Sequence, residues 1–401
     1  MKKLNLSTKI FIGLALGVIL GLAINAFHLD FLLVNIIEPV GTIFLNLMKM
    51  VIVPLIFCTL IMSITNVGDM NKLGFLGKRT IIYYLCTTVI AAVIGLSVAL
   101  IVQPGAGVPM NTEGFVMNET ASLSKMIVDI VPSNPFKAFA EGNTLQVVVL
   151  AFFVGIAMTI LGKKVENVKN FNNSCVDIIY KIVEMIMKVA PIAVVALIAD
   201  VVATNGLSIF KSLFKLLIVI IIASMLQLVV YGVSVKGFGK MNPFKFFKAI
   251  MPAQMLSFTT ASSAATLPLS MKTAKESLGV SETVANFVLN LGSTINMDGG
   301  AIYQASCAIF IAQIYGINLS ISQMFIIVIT ASLASIGAAA IPGTVIVMMT
   351  MVLSSVGLPI EAIALIAGID RILDMITTSV NVSGDIAACV FVASVEEKAG
   401  K

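Results

Sequence analysis

Residues 261–268 read Ala-Ser-Ser-Ala-Ala-Thr-Leu-Pro, and residues 334–342 read Ala-Ser-Ile-Gly-Ala-Ala-Ala-Ile-Pro. Each is a run of small residues closed by an aliphatic residue and proline, set inside an apolar segment. Each is followed, nearly thirty residues on, by carboxylates in an apolar run: Asp298 after the first, Asp370 and Asp374 after the second. Interrupted apolar segments at matching places in two halves point to an internal repeat around a binding site near the middle of a membrane. Irregular backbone is tolerated at that depth only where protein buries it or it lines a cavity. Two small-residue packing stretches would be the plainer reading, but packing leaves the carboxylates unexplained.

Composition supports the membrane. Of 401 residues, 59% are hydrophobic and 11% charged, with mean hydropathy +1.06, where a soluble chain carries roughly 25% charged residues. Twenty-five Lys and Arg against twenty Asp and Glu leave +5, too weak a bias to suggest a nucleic-acid partner. Cys58, Cys86, Cys175, Cys307 and Cys389 lie scattered in apolar runs without paired spacing, as core thiols would. His28 is the single histidine, which excludes a His-rich metal site or a His-based triad. The opening MKKLNLS and its apolar run lack a cleavage pattern, so the sequence predicts a retained first helix.

A crossing needs roughly 20 apolar residues. Candidates lie near 8–27, 37–63, 80–103, 143–162, 171–203, 209–235 and 280–314, with interrupted segments at 246–274 and 320–357 and a final helix near 358–395. Lys clusters at 2–9, 72–79, 163–169, 236–248 and 398–401 fall on every second connection, while the 104–125 loop carries Glu113 and Glu119 with Lys125. By the positive-inside rule both termini are cytoplasmic.

Two polar sets stand inside these spans. Asn296-Met297-Asp298-Gly299-Gly300 sits in the middle of the seventh span. A carboxylate there costs about 2.5–3.5 kcal/mol on insertion scales and needs a partner. Side-chain oxygens, with carbonyls freed where glycine lets the helix unwind, suit a small hard cation; a protonated Asp bonded to a neighbouring helix is the alternative. In the last helix Asp370, Asp374, Thr378, Asn381 and Asp385 fall within an arc of roughly 80°. Their flanks are lipid-compatible, so this stripe faces protein, ions or substrate. Three carboxylates beside the lone Arg371 imply cations from outside the chain. The Tyr-Asp and Gly-x-Gly-Asp pair of intramembrane aspartyl proteases, HExxH, a rhomboid-like Ser/His pair and GxxxxGK[ST] are all missing, so the sequence predicts no enzyme. A passive channel fits poorly with deeply buried clusters of cation size.

With SSAATLP, NMDG, ASIGAAAIPG, LDMxxTxxNVxGD and the Tyr83–Thr88 stretch in view, the whole chain resembles the dicarboxylate/amino acid:cation symporters, which include the glutamate and neutral amino acid transporters. The resemblance implies an all-α polytopic membrane protein of eight transmembrane helices and two re-entrant helical hairpins in inverted repeats. It implies a homotrimer in the cytoplasmic membrane whose transport domain (80–103 and 209–401) slides against a scaffold (1–79 and 104–208) like an elevator.

Carried over by position, Ser262 and Ser263 would meet the substrate α-carboxylate. Ala340, Ile341 and Gly343 would form a gate. Asp374 would hold the α-ammonium, with Thr378 and Asn381 as further substrate ligands. Sodium would use Gly292, Asn296, Asn381 and Asp385 in one set, Tyr84, Thr87, Thr88, Asn296 and Asp298 in a second, and carbonyls of Thr294, Ser335, Ile336 and Ala338 in a third. Acidic-substrate members carry Arg where this chain has Thr377, or on the first hairpin where Ala261 sits. The hydroxyl residue usual at Gly300 is also missing. Those departures, and the small residues Thr377, Gly300 and Ala264, lead to the expectation of a sodium-coupled symporter for a small neutral amino acid such as serine, threonine, alanine or cysteine. Cystine, an acidic amino acid or a dicarboxylate, with proton coupling, is the alternative. Acidic relatives can carry an Arg at the Arg371 position besides the binding Arg, so Arg371 is not counted as a replacement. Retention of Asp385, where proton-coupled relatives often have Asn, favours sodium.

Overall fold

The computed structural model describes residues 6–69, 75–107, 128, 131–206, 208–337 and 343–398, and among these residues the regular structure is helical throughout. Thirteen helices have ten residues or more: α1 (Leu6–Phe27), α2 (Glu38–Asp69), α3 (Phe75–Val102), α4 (Thr144–Leu161), α5 (Glu166–Asn205), α6 (Ser208–Gly237), α7 (Pro243–Thr260), α8 (Ser263–Lys272), α9 (Glu282–Ile295), α10 (Asp298–Ile314), α11 (Ile321–Gly337), α12 (Thr344–Ser355) and α13 (Asp370–Lys398). Six stretches, Thr8–Phe27, Asp30–Thr65, Gly77–Val102, Gln146–Thr204, Ile209–Gly237 and Asp370–Glu396, are long and apolar enough to cross a membrane. The fourth contains both α4 and α5.

Local chemistry sets the boundaries. Asn143 and Asn242 cap α4 and α7 by accepting from Gln146 N and Phe244 N, and Pro243 opens α7 where a helix tolerates a missing donor. Gly162 and Gly206, both at positive φ, close α4 and α5.

Three apolar segments prove to be helix pairs. The 246–274 segment folds as α7 and α8, which meet at Ala261 in the left-handed region (φ 48°) and at Ser262, whose hydroxyl accepts from Ala265 N. The 320–357 segment folds as α11 and α12, and the connecting residues 338–342 lie outside the described residues. The 280–314 span breaks into α9 and α10 at Asn296 (φ −90°, ψ 88°) and Met297 (φ −116°, ψ 53°). Glycine was expected to release this helix. Instead Gly299 and Gly300 are helical in the first turn of α10, and the non-helical pair just precedes them. The final helix begins at Asp370, after a separate short helix (Ile363–Ala367) that follows Gly357 and Pro359. All five cysteines are free, but only Cys307 and Cys389 are buried, and Cys86 is exposed on the outer side of α3.

Packing divides the helices into two sets. Helix α1 packs on α5, and α2 on α4 and α5. Helix α3 packs on α10 and α6, while α13 is embraced by α6, α7, α9 and α10. The sets meet where α2 touches α11 and α12 and α5 touches α6. The α1–α5 contact is the closest of the first set, because Gly13, Gly17 and Gly21 lie on one face of α1. A Cβ added at these positions would lie 2.6 Å from Pro191 O, 2.8 Å from Val195 O and 2.6 Å from Ala199 O. Backbones this near each other gain dispersion and weak Cα–H contacts that any side chain would prise apart.

Gly17→Val should therefore destabilise the fold by about 1–3 kcal/mol through overpacking, read as a lower midpoint of thermal unfolding in detergent. An unchanged midpoint would mean that α1 does not need this approach.

Candidate functional site

The break between α9 and α10 is where charge enters the core. Asp298 is fully buried and held by donors from two neighbouring helices. Thr88 Oγ1 of α3 donates to Oδ1 (2.6 Å); Gln227 Nε2 (3.1 Å) and Tyr231 Oη (2.6 Å) of α6 donate to Oδ2. Thr87 hydrogen-bonds back to Tyr84 O, and its own carbonyl accepts from Gln227. Three hydrogen bonds, two of them short, are what a buried carboxylate demands. The alternative of a lone bonded Asp thus has partial support, though the partners number three and come from two helices.

Beside it, Asn296 ties the broken backbone to α13. Its Nδ2 donates to Asp385 Oδ1 (2.9 Å) and Asn381 O (3.2 Å), while its Oδ1 is buried without a donor. A buried acceptor of this kind carries a desolvation cost unless a cation or donor meets it. A Cβ added at Gly292 would fall 2.5 Å from Asp385 Oδ1 and also on Tyr84 Oη, so glycine there lets α9 press against both oxygens. Tyr84 Oη donates to Val288 O (3.0 Å). Thr294 lies in the last turn of α9, and Ser335 and Ile336 in the last turn of α11, which packs on α9. Last-turn carbonyls lack partners in their own helix, and Ser335 Oγ is buried and also without a partner. The structure thus gathers Tyr84, Thr87, Thr88, Gly292, Thr294, Asn296, Asp298, Asn381 and Asp385 around the break. Ala338 lies outside the described residues.

Asn381 spans the two polar sets. Its Oδ1 accepts from Gly299 N (2.7 Å), capping α10 from a neighbouring helix, and its Nδ2 donates to Met297 Sδ (3.3 Å). Gly299 is required by this docking, since a Cβ there would overlap the backbone of Thr377. At Gly300 the nearest atoms to an added Cβ, Met297 Cβ and Ser335 Oγ, are both 3.5 Å away. Packing therefore does not impose glycine at that position.

Two turns before Asn381 on α13, Asp374 lies where α13, the start of α12 and the α7–α8 turn converge. Gly343 N (φ 85°) donates to its Oδ2 at 3.3 Å, and Thr378 Oγ1 lies 3.4 Å from its Oδ1. Arg371 Nη1 stands 3.9 Å from Oδ2, and Arg371 Nη2 donates to Thr260 O (3.1 Å). Tyr303 Oη donates to Asp370 Oδ1 (2.7 Å). Ser262 and Ser263 open α8 just beyond Thr260. Ala340 and Ile341 lie outside the described residues.

The α13 stripe therefore faces protein along its length. The sequence reading missed Gln227 and Tyr231, which supply two of the three donors to Asp298. Their signal was present: an amide and a phenol one turn apart in the apolar run of α6.

A model of the sodium:dicarboxylate symporter family matches residues 6–395. The chain belongs to that family. A proton/sodium-glutamate symport protein of Bacillus caldotenax is 38% identical, over 99% of this chain and 96% of the relative. A proton/glutamate-aspartate symporter of Escherichia coli (strain K12) is 35% identical over 99% and 94%, and a C4-dicarboxylate transport protein of Bacillus subtilis (strain 168) 32% over 98% and 94%. The chain is a multi-pass membrane transporter and not an enzyme.

These relatives overturn the expectation of a small neutral amino acid, which rested on Thr377, Ala261, Gly300 and Ala264. The Thr377 hydroxyl donates to Leu373 O (3.0 Å) and Asp374 O (3.3 Å) of its own helix, and its backbone abuts Gly299. It thereby takes part in the α10–α13 contact.

Tyr231→Phe removes one charge-assisted donor from Asp298 and should cost about 1.5–3 kcal/mol of stability, seen as a lower unfolding midpoint. Wild-type stability in that variant would show that Asp298 does not depend on α6.

Proposed function

We propose that the chain is a cation-coupled symporter that imports an acidic amino acid or C4 dicarboxylate, with sodium as the coupling ion. The observation that carries this reading is the pair of buried oxygen clusters, one at the α9–α10 break and one at Asp374, joined through Asn381 on α13. The relatives, which are glutamate, glutamate-aspartate and C4-dicarboxylate transporters, support the substrate class. Asp374 would hold the α-ammonium of an amino acid, with Gly343, Thr378 and Asn381 around it. The α8 N-terminus at Ser262 and Ser263 would face the α-carboxylate, since free N–H groups and the helix dipole suit an anion. Sodium would be taken by Asp385, Asn296, Asn381 and Gly292, by Asp298 with Tyr84, Thr87 and Thr88, and by the last-turn carbonyls of Thr294, Ser335 and Ile336. The unsatisfied Asn296 Oδ1 supports a cation, and neutral and anionic oxygens are the ligands a hard ion prefers.

The same reading counts eight crossings, α1 to α6, the α9–α10 pair and α13, and takes α7–α8 and α11–α12 as re-entrant hairpins. The two packing sets support a scaffold of α1, α2, α4 and α5 and a transport domain of α3 and α6–α13. The protein would sit as a homotrimer in the cytoplasmic membrane with both termini inside. The Lys clusters support that orientation.

Purified protein in proteoliposomes should concentrate labelled glutamate, aspartate or a C4 dicarboxylate under an inward sodium gradient, and Asp374→Ala should abolish binding of amino acid substrates alike. Uptake that equilibrates without exceeding the outside concentration would identify a channel. Retained amino acid binding by the Ala variant would move the ammonium anchor elsewhere, with Asp370 the first residue to test.

A further inference from the structure

We infer that the groove between α1, α5 and the start of α2 holds the acyl chain of an anionic phospholipid, whose phosphate pairs with Lys9 and Lys188. The inference goes beyond the symporter reading and uses neither its substrate nor its coupling ion.

The groove has a volume of about 480 Å³ and is apolar apart from Lys9 at one end. Ile12, Leu16 and Ile192 in its walls expose between 45% and 65% of their surface. Water finds no polar partners along such walls, so hydrocarbon must fill them.

Register fixes which end is which. Gly13, Gly17 and Gly21 lie against Pro191, Val195 and Ala199 in turn. Helices α1 and α5 therefore run side by side in the same direction, and Lys9 is level with Lys188. Lys9 shares a face of α1 with Ile12 and Leu16, and Lys188 shares a face of α5 with Ile192 and Val195, at spacings of three, four or seven residues. Both lysines thus stand at the same mouth of the groove. Ile37 and Val40 stop the other end. The charges beyond that stop are acidic: Glu38 follows Ile37, and Asp200 lies one turn past Ala196.

Charge and length then select the occupant. Among the described residues Lys9 has no ion-pair partner, and Glu184 is shared by Lys181 at 2.6 Å and Lys188 at 3.2 Å. Three ammonium groups therefore stand beside one carboxylate at the mouth, on stems long enough to reach the interface. From Lys188 to Ala196 the groove runs about 12 Å at 1.5 Å per residue, most of the ~15 Å of hydrocarbon in one leaflet. One acyl chain entering from the lysine end fits that depth and leaves its phosphate at the lysines. A choline headgroup would bring a like charge to them. With both termini inside, the mouth opens to the cytoplasmic leaflet, whose surface is negatively charged.

The test places full-length protein in phosphatidylcholine bilayers doped with phosphatidylglycerol that carries a photoreactive group on its acyl chain. Cross-linked peptides are read by mass spectrometry. Labelling should fall on residues 12–16 and 191–196, and unlabelled phosphatidylglycerol should displace it while added phosphatidylcholine does not. Lys9→Gln and Lys188→Gln should each lower groove labelling roughly fivefold, the scale of one lysine near a membrane surface, and Lys9→Arg should retain it. Leu16→Trp should block the groove and lower labelling there for probes of either headgroup. Labelling that both Gln variants leave unchanged overturns the inference, as does equal displacement by the two lipids. Cross-links that join residues 12–16 of one copy to residues 191–196 of another, with the lipid probe excluded, assign the groove to a second copy and overturn it too.

Discussion

A carboxylate placed deep in an apolar helical bundle must be answered by donors or cations, and the architecture around Asp298 and Asp385 follows from that demand. Moving such a charge out of water costs several kcal/mol even after relaxation. The chain meets the cost at Asp298 with hydroxyls and an amide from α3 and α6. At Asp385 the donor is Asn296 Nδ2, from the residue at the break itself. The two carboxylates are thus answered unequally. Asp298 belongs to a nearly complete hydrogen-bond network, whereas Asn296 Oδ1 is left without a donor. An unpaired acceptor in a dry site is costly, and on the proposed reading a cation meets it.

The same constraint explains why glycine occurs where it does. Gly292 and Gly299 are the points at which α9 and α10 must come within backbone distance of α13, and a methyl group at either would displace Asp385 or the Thr377 peptide. With those approaches made, Asn381 can cap α10, and Asp374 and Asp370 fall two to three turns earlier on the same stripe. The two polar clusters are therefore joined through one helix. The first packing set is built on a different principle. The Gly13–Gly17–Gly21 face joins α1 to α5 without any buried charge, so the charged machinery stays within a single group of helices.

Much of this was legible in the sequence. The α13 stripe follows from helical periodicity alone, and the repeated small-residue segments each fold as a helix pair, because Ala261 and Gly343 supply the backbone conformations that end one limb or begin the next. The position of the break was less accessible. Glycine propensity pointed to Gly299–Gly300, but docking against Thr377 and the cap from Asn381 keep those residues helical and push the irregular backbone to Asn296–Met297. The partners of Asp298 were hidden because they come from 67 and 71 positions away. The neutral-substrate expectation failed because it read the missing arginine at Thr377 as a statement about the substrate, while the relatives point to acidic substrates.

The claim on which the rest stands is that the incompletely answered acceptors at the break are held for a transported cation. The direct measurement is the sodium-concentration dependence of substrate binding in the wild type and in Asp385→Asn, a change that preserves shape and removes one charge. The account predicts that the variant remains folded but needs about tenfold or more sodium for half-maximal binding, with a shallower dependence, since ligand charge sets the affinity of a hard-cation site. Superimposable curves for the two proteins would contradict it.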